Sequence, residues 1–347
     1  MNNPVYIYGT GTFAKDVREV LFNKGVGILG FLDHTGAVQR PEDLPETARS
    51  DTTVYIGIHN HIARIAPIVD NLRRLGYENI VTPPQLYEKY GAEMGDRYWL
   101  TSPDFYPQHA TNILHTRYLF SDDTSKHIYD ALRHCRYTGE YAQMPTPDTE
   151  HEYFPADLPA WPNPLRFVDC GAYTGDTLAA FLAAGYKFAS VTSYEPDVDN
   201  YLKLIDFIPK NKDKIKASIA FPCGLYSSAK SLAFESGLGV SSKISEKSKT
   251  TAQFVALDES LDYVPDLIKM DIEGSEPDAL EGARETIRRH APALAISVYH
   301  APAHLWEIPM RVAEMAEQYG INYTYYLRQH EENGFGTVFY AVPDLHD

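Results

Sequence analysis

Residues 167–181 read FVDCGAYTGDTLAAF: an apolar strand ends in an acid, two glycines follow in the turn, and a helix begins. In an open α/β sheet, ligands sit beyond the carboxyl ends of the strands, where helix N-termini point free N–H groups outward. Gly171 and Gly175 remove side chains where the backbone must come close to a ligand. Asp169, at the strand end, can fix the loop or accept from an ammonium group. A second acid, Glu195 in VTSYEPD, stands one βαβ unit further on, where the next strand would deliver a carboxylate to the two hydroxyls of a ribose. NAD and S-adenosylmethionine both present such a ribose, so the spacing leaves both open. The glycine pattern leans to the second. It is DxGxxxGD, not GxGxxG, and Asp176 would repel a pyrophosphate while suiting a sulfonium that carries an amino group. The alternative is a turn that merely closes a tight loop.

The pattern around this turn predicts a doubly wound sheet. Strands are expected over Arg166–Cys170, Ser190–Tyr194, Ile215–Phe221, Asp266–Met270 and Leu294–Tyr299, with helices over Thr177–Tyr186 and Glu276–His290. Strands separated by helical runs imply a parallel sheet covered on both faces. The end, YTYYLRQHEENGFGTVFYAVP, reads as an antiparallel hairpin. Residues 1–100 form a separate, Rossmann-like α/β unit, with Ile62, Ile65, Val69 and Leu72 on one helical stripe. Residues 101–164 hold a helix around Ser125–Tyr137 and a segment rich in proline and aromatics, which reads as linker and cap. The third unit spans residues 165–347.

A second cluster bears on chemistry. PDLIKMDIEGSEPDALEGA puts Asp271 and Glu273 at the mouth of the fourth strand, and ALAISVYH puts His300 at the mouth of the next. Together FVDCGAYTGDT, YEPD, LIKMDIEGSEPDALEGA and ISVYHAPAHLWEIP resemble the FkbM family of S-adenosylmethionine-dependent methyltransferases, over about residues 121–343. EYFPADL and YYLRQH are similar to flanking segments of its bacterial members. The resemblance implies a class I methyltransferase sheet, six parallel strands plus one antiparallel, and O-methylation of sugars or natural-product hydroxyls. Cys170 and Tyr173 occupy turn positions that vary in such families and receive no role.

The expected donor site is Asp169, Gly171, Ala172, Gly175, Asp176 and Thr177 with Glu195 and Pro196. Methyl transfer to an aliphatic hydroxyl requires loss of the hydroxyl proton as attack proceeds, and His300, Asp271 and Glu273 are the catalytic candidates. His300 has the most suitable unperturbed pKa. Glu273 has a structural alternative as a cap of the following helix, and His300 has one as a satisfied histidine under Trp306. Asp271 with His300 could instead ligate a divalent metal beside a diol, which leaves metal dependence open. Arg328, His330 and Trp306 are candidate substrate contacts, with a surface loop as the alternative for the first two.

In the N-terminal unit, Gly9, Gly11 and Ala14 form a GxGxxA frame with Asp33 after the next strand. This resembles the Rossmann-like domain of PglD-type sugar acyltransferases, which implies a nucleotide-sugar pocket; a scaffold for oligomers is the alternative. His59 and His61 form an HxH pair with no third ligand nearby and read as structural.

Composition bounds the rest. A net charge of -16 disfavours nucleic acid and points to a small-molecule or carbohydrate acceptor. Cys135, Cys170 and Cys223 have no CxxC spacing and read as buried thiols. With no long apolar run and no signal-like start, the expected location is the cytoplasm; a homo-oligomer is compatible with all of this. Two other readings stay open: a non-catalytic nucleotide-sugar-binding or assembly module on a methyltransferase fold, and an NAD-dependent enzyme.

Overall fold

The computed structural model describes residues 3–237, 243–244 and 248–344. The chain termini at residues 1–2 and 345–347 lie outside the described residues. The first four strands, β1 (Val5–Tyr8), β2 (Ile28–Leu32), β3 (Thr53–Ile56) and β4 (Asn79–Val81), form a parallel sheet of order β2-β1-β3-β4. The small third position of the GxGxxA frame has a packing reason. Ala14 lies against Gly57, where an added Cβ would come within 2.7 Å of the Ala14 Cβ.

The principal sheet begins with β5 (Leu165–Cys170), β6 (Phe188–Tyr194) and β7 (Ser218–Phe221). Four short strands follow, β8 (Gly224–Leu225), β9 (Lys230–Glu235), β10 (Lys243–Ile244) and β11 (Thr251–Val255), in a separate small sheet of order β10-β9-β11-β8. The chain then returns with β12 (Leu267–Met270), β13 (Ala293–Ser297), β14 (Tyr323–Gln329) and β15 (Thr337–Pro343). The completed order is β14-β15-β13-β12-β5-β6-β7. Only β15 opposes its neighbours, so six strands run one way and one the other. This is the sheet implied by the resemblance. Phe167, Val168, Leu267, Ile268, Leu294 and Ile296 are all fully buried, because helices cover both faces of the central strands.

Local chemistry sets the element ends. The helix Asp123–Thr138 starts where Asp122 accepts from the Ser125 N–H at 2.7 Å and stops at Gly139, in the left-handed region at φ 74. Ile62 falls off the expected stripe: the helix is Ile65–Arg74, and Asn60 accepts from the Ile62 and Ala63 N–H groups in a turn ahead of it. The expected helix Glu276–His290 is two, Glu276–Glu281 and Arg284–His290. The break falls at Gly282, where a Cβ would stand 2.1 Å from the Tyr226 carbonyl oxygen.

The two large sheets meet beyond β14. Asn333 donates to the Asn60 and Ala63 carbonyls at 2.9 and 2.5 Å, and accepts from the Ile65 N–H at 3.4 Å. This docks the β14–β15 turn on the loop after β3. Among the described residues no helix is long and apolar enough to cross a membrane. All three cysteines are free and buried.

Candidate active site

The turn after β5 is shaped by its glycines. Gly171 has φ +80, and a Cβ there would lie 2.0 Å from the Asp271 carbonyl oxygen, so the loops after β5 and β12 touch backbone to backbone. Gly175 has φ +90 and opens the helix Asp176–Ala183. Asp169 is fully buried and pairs with Lys269 of β12 at 3.2 Å; Lys269 also donates to the Gly171 carbonyl at 2.7 Å. Burial pushes Asp169 up to about 6 against the pull of Lys269. Burial pulls the Lys269 amine down, but Asp169, Asp271 and Asp176 outweigh it and hold the amine above its ordinary value. The pair is ionised near neutrality.

Glu195 ends β6 with both oxygens in use: the Tyr173 N–H donates to one at 2.8 Å and the Asp197 N–H to the other at 2.9 Å. Burial pushes its carboxyl up to about 7. Asp197 in turn accepts from the Asp199 and Asn200 N–H groups, capping the helix Val198–Lys210 that follows β6.

The turn after β12 is tighter. Glu273 at φ 54 and Gly274 at φ 104 reverse the chain, and Glu276 accepts from the Ile272 N–H at 2.9 Å. The same Glu276 oxygen is 2.7 Å from Nδ1 of His300, whose Nε2 faces Asp271 Oδ1 at 3.2 Å and Glu273 Oε1 at 3.7 Å. The Tyr153 and Tyr299 hydroxyls donate to Asp271 at 2.9 and 3.4 Å. Burial alone would lower His300, but Glu276, Glu273 and Asp271 outweigh it and push it up to about 10. The near-neutral pKa that recommended His300 as a base is therefore lost in the fold. The imidazole is a cation among carboxylates at neutral pH.

These two turns open into one cavity of about 280 Å³. From the expected donor set Gly171, Asp176, Thr177, Glu195 and Pro196 line it, while Asp169, Ala172 and Gly175 lie behind the lining. From the expected catalytic set Asp271 and Glu273 line it, with His300 buried behind them. The expected substrate contacts are elsewhere. Arg328 is spent on Asp122, Asp157 and Ser125, anchoring the helix Asp123–Thr138. His330 lies between the Asp148 carbonyl and the Tyr340 hydroxyl, and burial lowers it to about 4. Trp306 packs against Phe105 and His109, so it is not the cover over His300; Tyr299 is, with ring centroids 4.2 Å apart.

The cavity also holds groups that the sequence reading did not pick out. Glu152 and Glu331 line it, and burial pushes them up to about 8 and about 7. Lys269 was visible as a lone charge inside the apolar strand LIKM. The N-terminal unit contributes His61 and Tyr98, and the small sheet contributes Leu225, Phe234 and Phe254. His59, by contrast, is buried among Phe13, Trp99 and Phe335, and burial lowers it to about 3.

Residues 169–323 match the model of the methyltransferase FkbM domain. No curated protein matches the chain. Among solved structures, the chain is similar to the methyltransferase FkbM from Methylobacillus flagellatus KT, at 22% identity and a TM-score of 0.75, over 98% of this chain and 90% of that one. That likeness extends through the N-terminal unit and concerns the fold. Fibrillarin from Aeropyrum pernix, in complex with natively bound S-adenosyl-L-methionine, is similar over 52% of this chain and 67% of its own, at 10% identity and a TM-score of 0.33, too distant to bear on this chain's chemistry. The matched segment begins at Asp169 of the glycine turn and takes in Glu195 and the Asp271–His300 cluster, so the chain carries a methyltransferase FkbM domain and is a methyltransferase.

Proposed function

We propose that the protein is an S-adenosyl-L-methionine-dependent O-methyltransferase acting on a hydroxyl of a sugar, a glycan precursor or a natural product. The observation that carries this reading is the position of Glu195. Its carboxylate stands at the mouth of β6, in the same cavity as the Gly171 turn, where a ribose diol can donate to it. The donor's amino-acid end would lie on the turn made by Asp169, Gly171, Ala172, Gly175, Asp176 and Thr177, with Pro196 beside the adenosine. Asp169 acts there indirectly, holding Lys269 and through it the Gly171 carbonyl.

The acceptor would occupy the end bounded by β12 and β13. Tyr98, Tyr299 and Phe335 put three aromatic rings there, with centroids 5.2 to 6.4 Å apart, beside Asp271, Glu273, Glu152 and Glu331. Rings that cover an apolar sugar face and carboxylates that accept from hydroxyls suit a polyhydroxylated molecule. Transfer is an in-line displacement at the donor methyl, and alignment in a pocket closed to water supplies much of the acceleration. The proton leaving the hydroxyl passes to Glu331, which lines the same end of the cavity as Asp271 and Glu273 and whose carboxyl burial pushes up to about 7. Asp271 and Glu273 hold the hydroxyl, and His300 positions them.

The test is a screen of sugars, nucleotide sugars and hydroxylated natural products with methyl-labelled S-adenosylmethionine, read by the mass gain of one methyl group. Label on an acceptor oxygen is expected. Label found only on nitrogen or carbon would overturn the choice of hydroxyl.

A further inference from the structure

The carboxylates around His300 are arranged for more than an ion pair. His300 is 9% exposed, and its Nε2 is buried with no hydrogen-bond partner, although it is aimed between Asp271 and Glu273. Its other nitrogen is taken by Glu276 at 2.7 Å, and Glu276 is itself fixed by the Ile272 N–H. A carboxylate on the far nitrogen of a histidine sets ring tautomer and direction, as it does for metal-ligating histidines. The separations of 3.2 Å to Asp271 and 3.7 Å to Glu273 are close to the roughly 3 Å that divides neighbouring ligands placed about 2.1 Å from one metal ion.

We propose that Asp271, Glu273 and His300 Nε2 form a divalent-cation site, the ion displacing the proton that Nε2 carries in its absence, with Glu276 as the positioning carboxylate behind the histidine. One imidazole nitrogen with two carboxylates favours a first-row ion such as Mn²⁺ or Zn²⁺ over Ca²⁺. Asp271 and Glu273 line the cavity, so the remaining coordination positions face the acceptor end. On the methyl-transfer reading, Asp271 and Glu273 would hold the acceptor hydroxyl through the ion, which would lower its pKa, and the released proton would go to Glu331.

The experiment is Mn²⁺ titration of the chelator-treated full chain, followed by the loss of the free-ion electron paramagnetic resonance signal. S-adenosylhomocysteine calorimetry is run on the same samples. One Mn²⁺ per chain is expected. Asp271→Asn and Glu273→Gln should each weaken binding at least tenfold, and Glu276→Gln about 10- to 100-fold, while S-adenosylhomocysteine affinity, which also reports folding, stays within about twofold. Mn²⁺ bound no more tightly by the wild type than by folded Asp271→Asn or Glu273→Gln chains would overturn the site. Stoichiometric Mn²⁺ without S-adenosylhomocysteine binding would leave the site standing and overturn the donor reading instead. Donor binding with methyl transfer indifferent to chelator would overturn the ion's part in the reaction.

Discussion

Lys269→Met removes the cation that, among the described residues, pairs with Asp169, while keeping the length and apolar stem of the side chain. Both partners are almost fully buried, at 2% and 0% exposure, so solvent cannot replace the lost charge. Breaking a buried pair from one side costs about 3–5 kcal/mol, because a charge is left without compensation. The cost should depend on pH in a way that a packing defect would not. In the wild type Asp169 is already raised, to about 6, from its ordinary value near 3.9. A raised carboxyl contributes stability that is full below the unfolded pKa and lost as pH climbs through the folded one, so the wild-type loss is complete just above pH 6. Without Lys269 the folded pKa moves higher and the loss continues, at about 1.4 kcal/mol per pH unit. Between about pH 6 and 8 the stability gap between variant and wild type should therefore widen by roughly 2–3 kcal/mol. Urea unfolding midpoints across that range measure it, and Asp169→Asn combined with Lys269→Met should abolish the widening. A gap that stays constant from pH 6 to 8 would refute the reasoning.

Glu195→Gln should weaken S-adenosylhomocysteine binding roughly 10- to 100-fold, the scale of a lost hydrogen bond to a charged group, as read by calorimetry. Because Glu195 titrates at about 7, donor affinity in the wild type should rise as pH climbs through 7 and then level off; a flat profile from about pH 6 to 8 counts against the ribose contact. Glu331→Gln should lower kcat about 10²-fold and leave donor affinity unchanged, and an unimpaired variant would remove Glu331 as the proton acceptor. Asn333→Ala deletes three hydrogen bonds to the loop after β3 and should cost about 1–3 kcal/mol in thermal unfolding; an unchanged midpoint would show that the docking lies elsewhere.

The sheet was legible because its central strands, FVDC, LIKM and ALAIS, are largely apolar runs with at most one charge each, followed by turns of glycines and acids. Glu195 and Asp271 were legible for the same reason: a strand end in such a sheet is a place that topology brings to the ligand side. What failed was whatever depends on long-range contacts. Nothing in YYLRQH shows that Arg328 will be consumed by Asp122 and Asp157, far back in the chain. A histidine read alone has a pKa near neutrality, and only the fold sets Glu276 beside it to raise it. The four strands β8–β11 are two to six residues long and alternate weakly, so residues that close one side of the cavity carried no periodic signal. Glu152 and Glu331 reach the cavity from the linker and from the β14–β15 turn, segments whose sequence says loop and nothing about what the loop covers.

The most direct test is the calorimetric titration of the full chain with S-adenosylhomocysteine and, separately, with NAD. S-adenosylhomocysteine is expected to bind in a one-to-one complex that Glu195→Gln weakens, and NAD to give no heat. Heat from NAD with none from S-adenosylhomocysteine would contradict the assignment of the Gly171–Glu195 cavity to a sulfonium methyl donor.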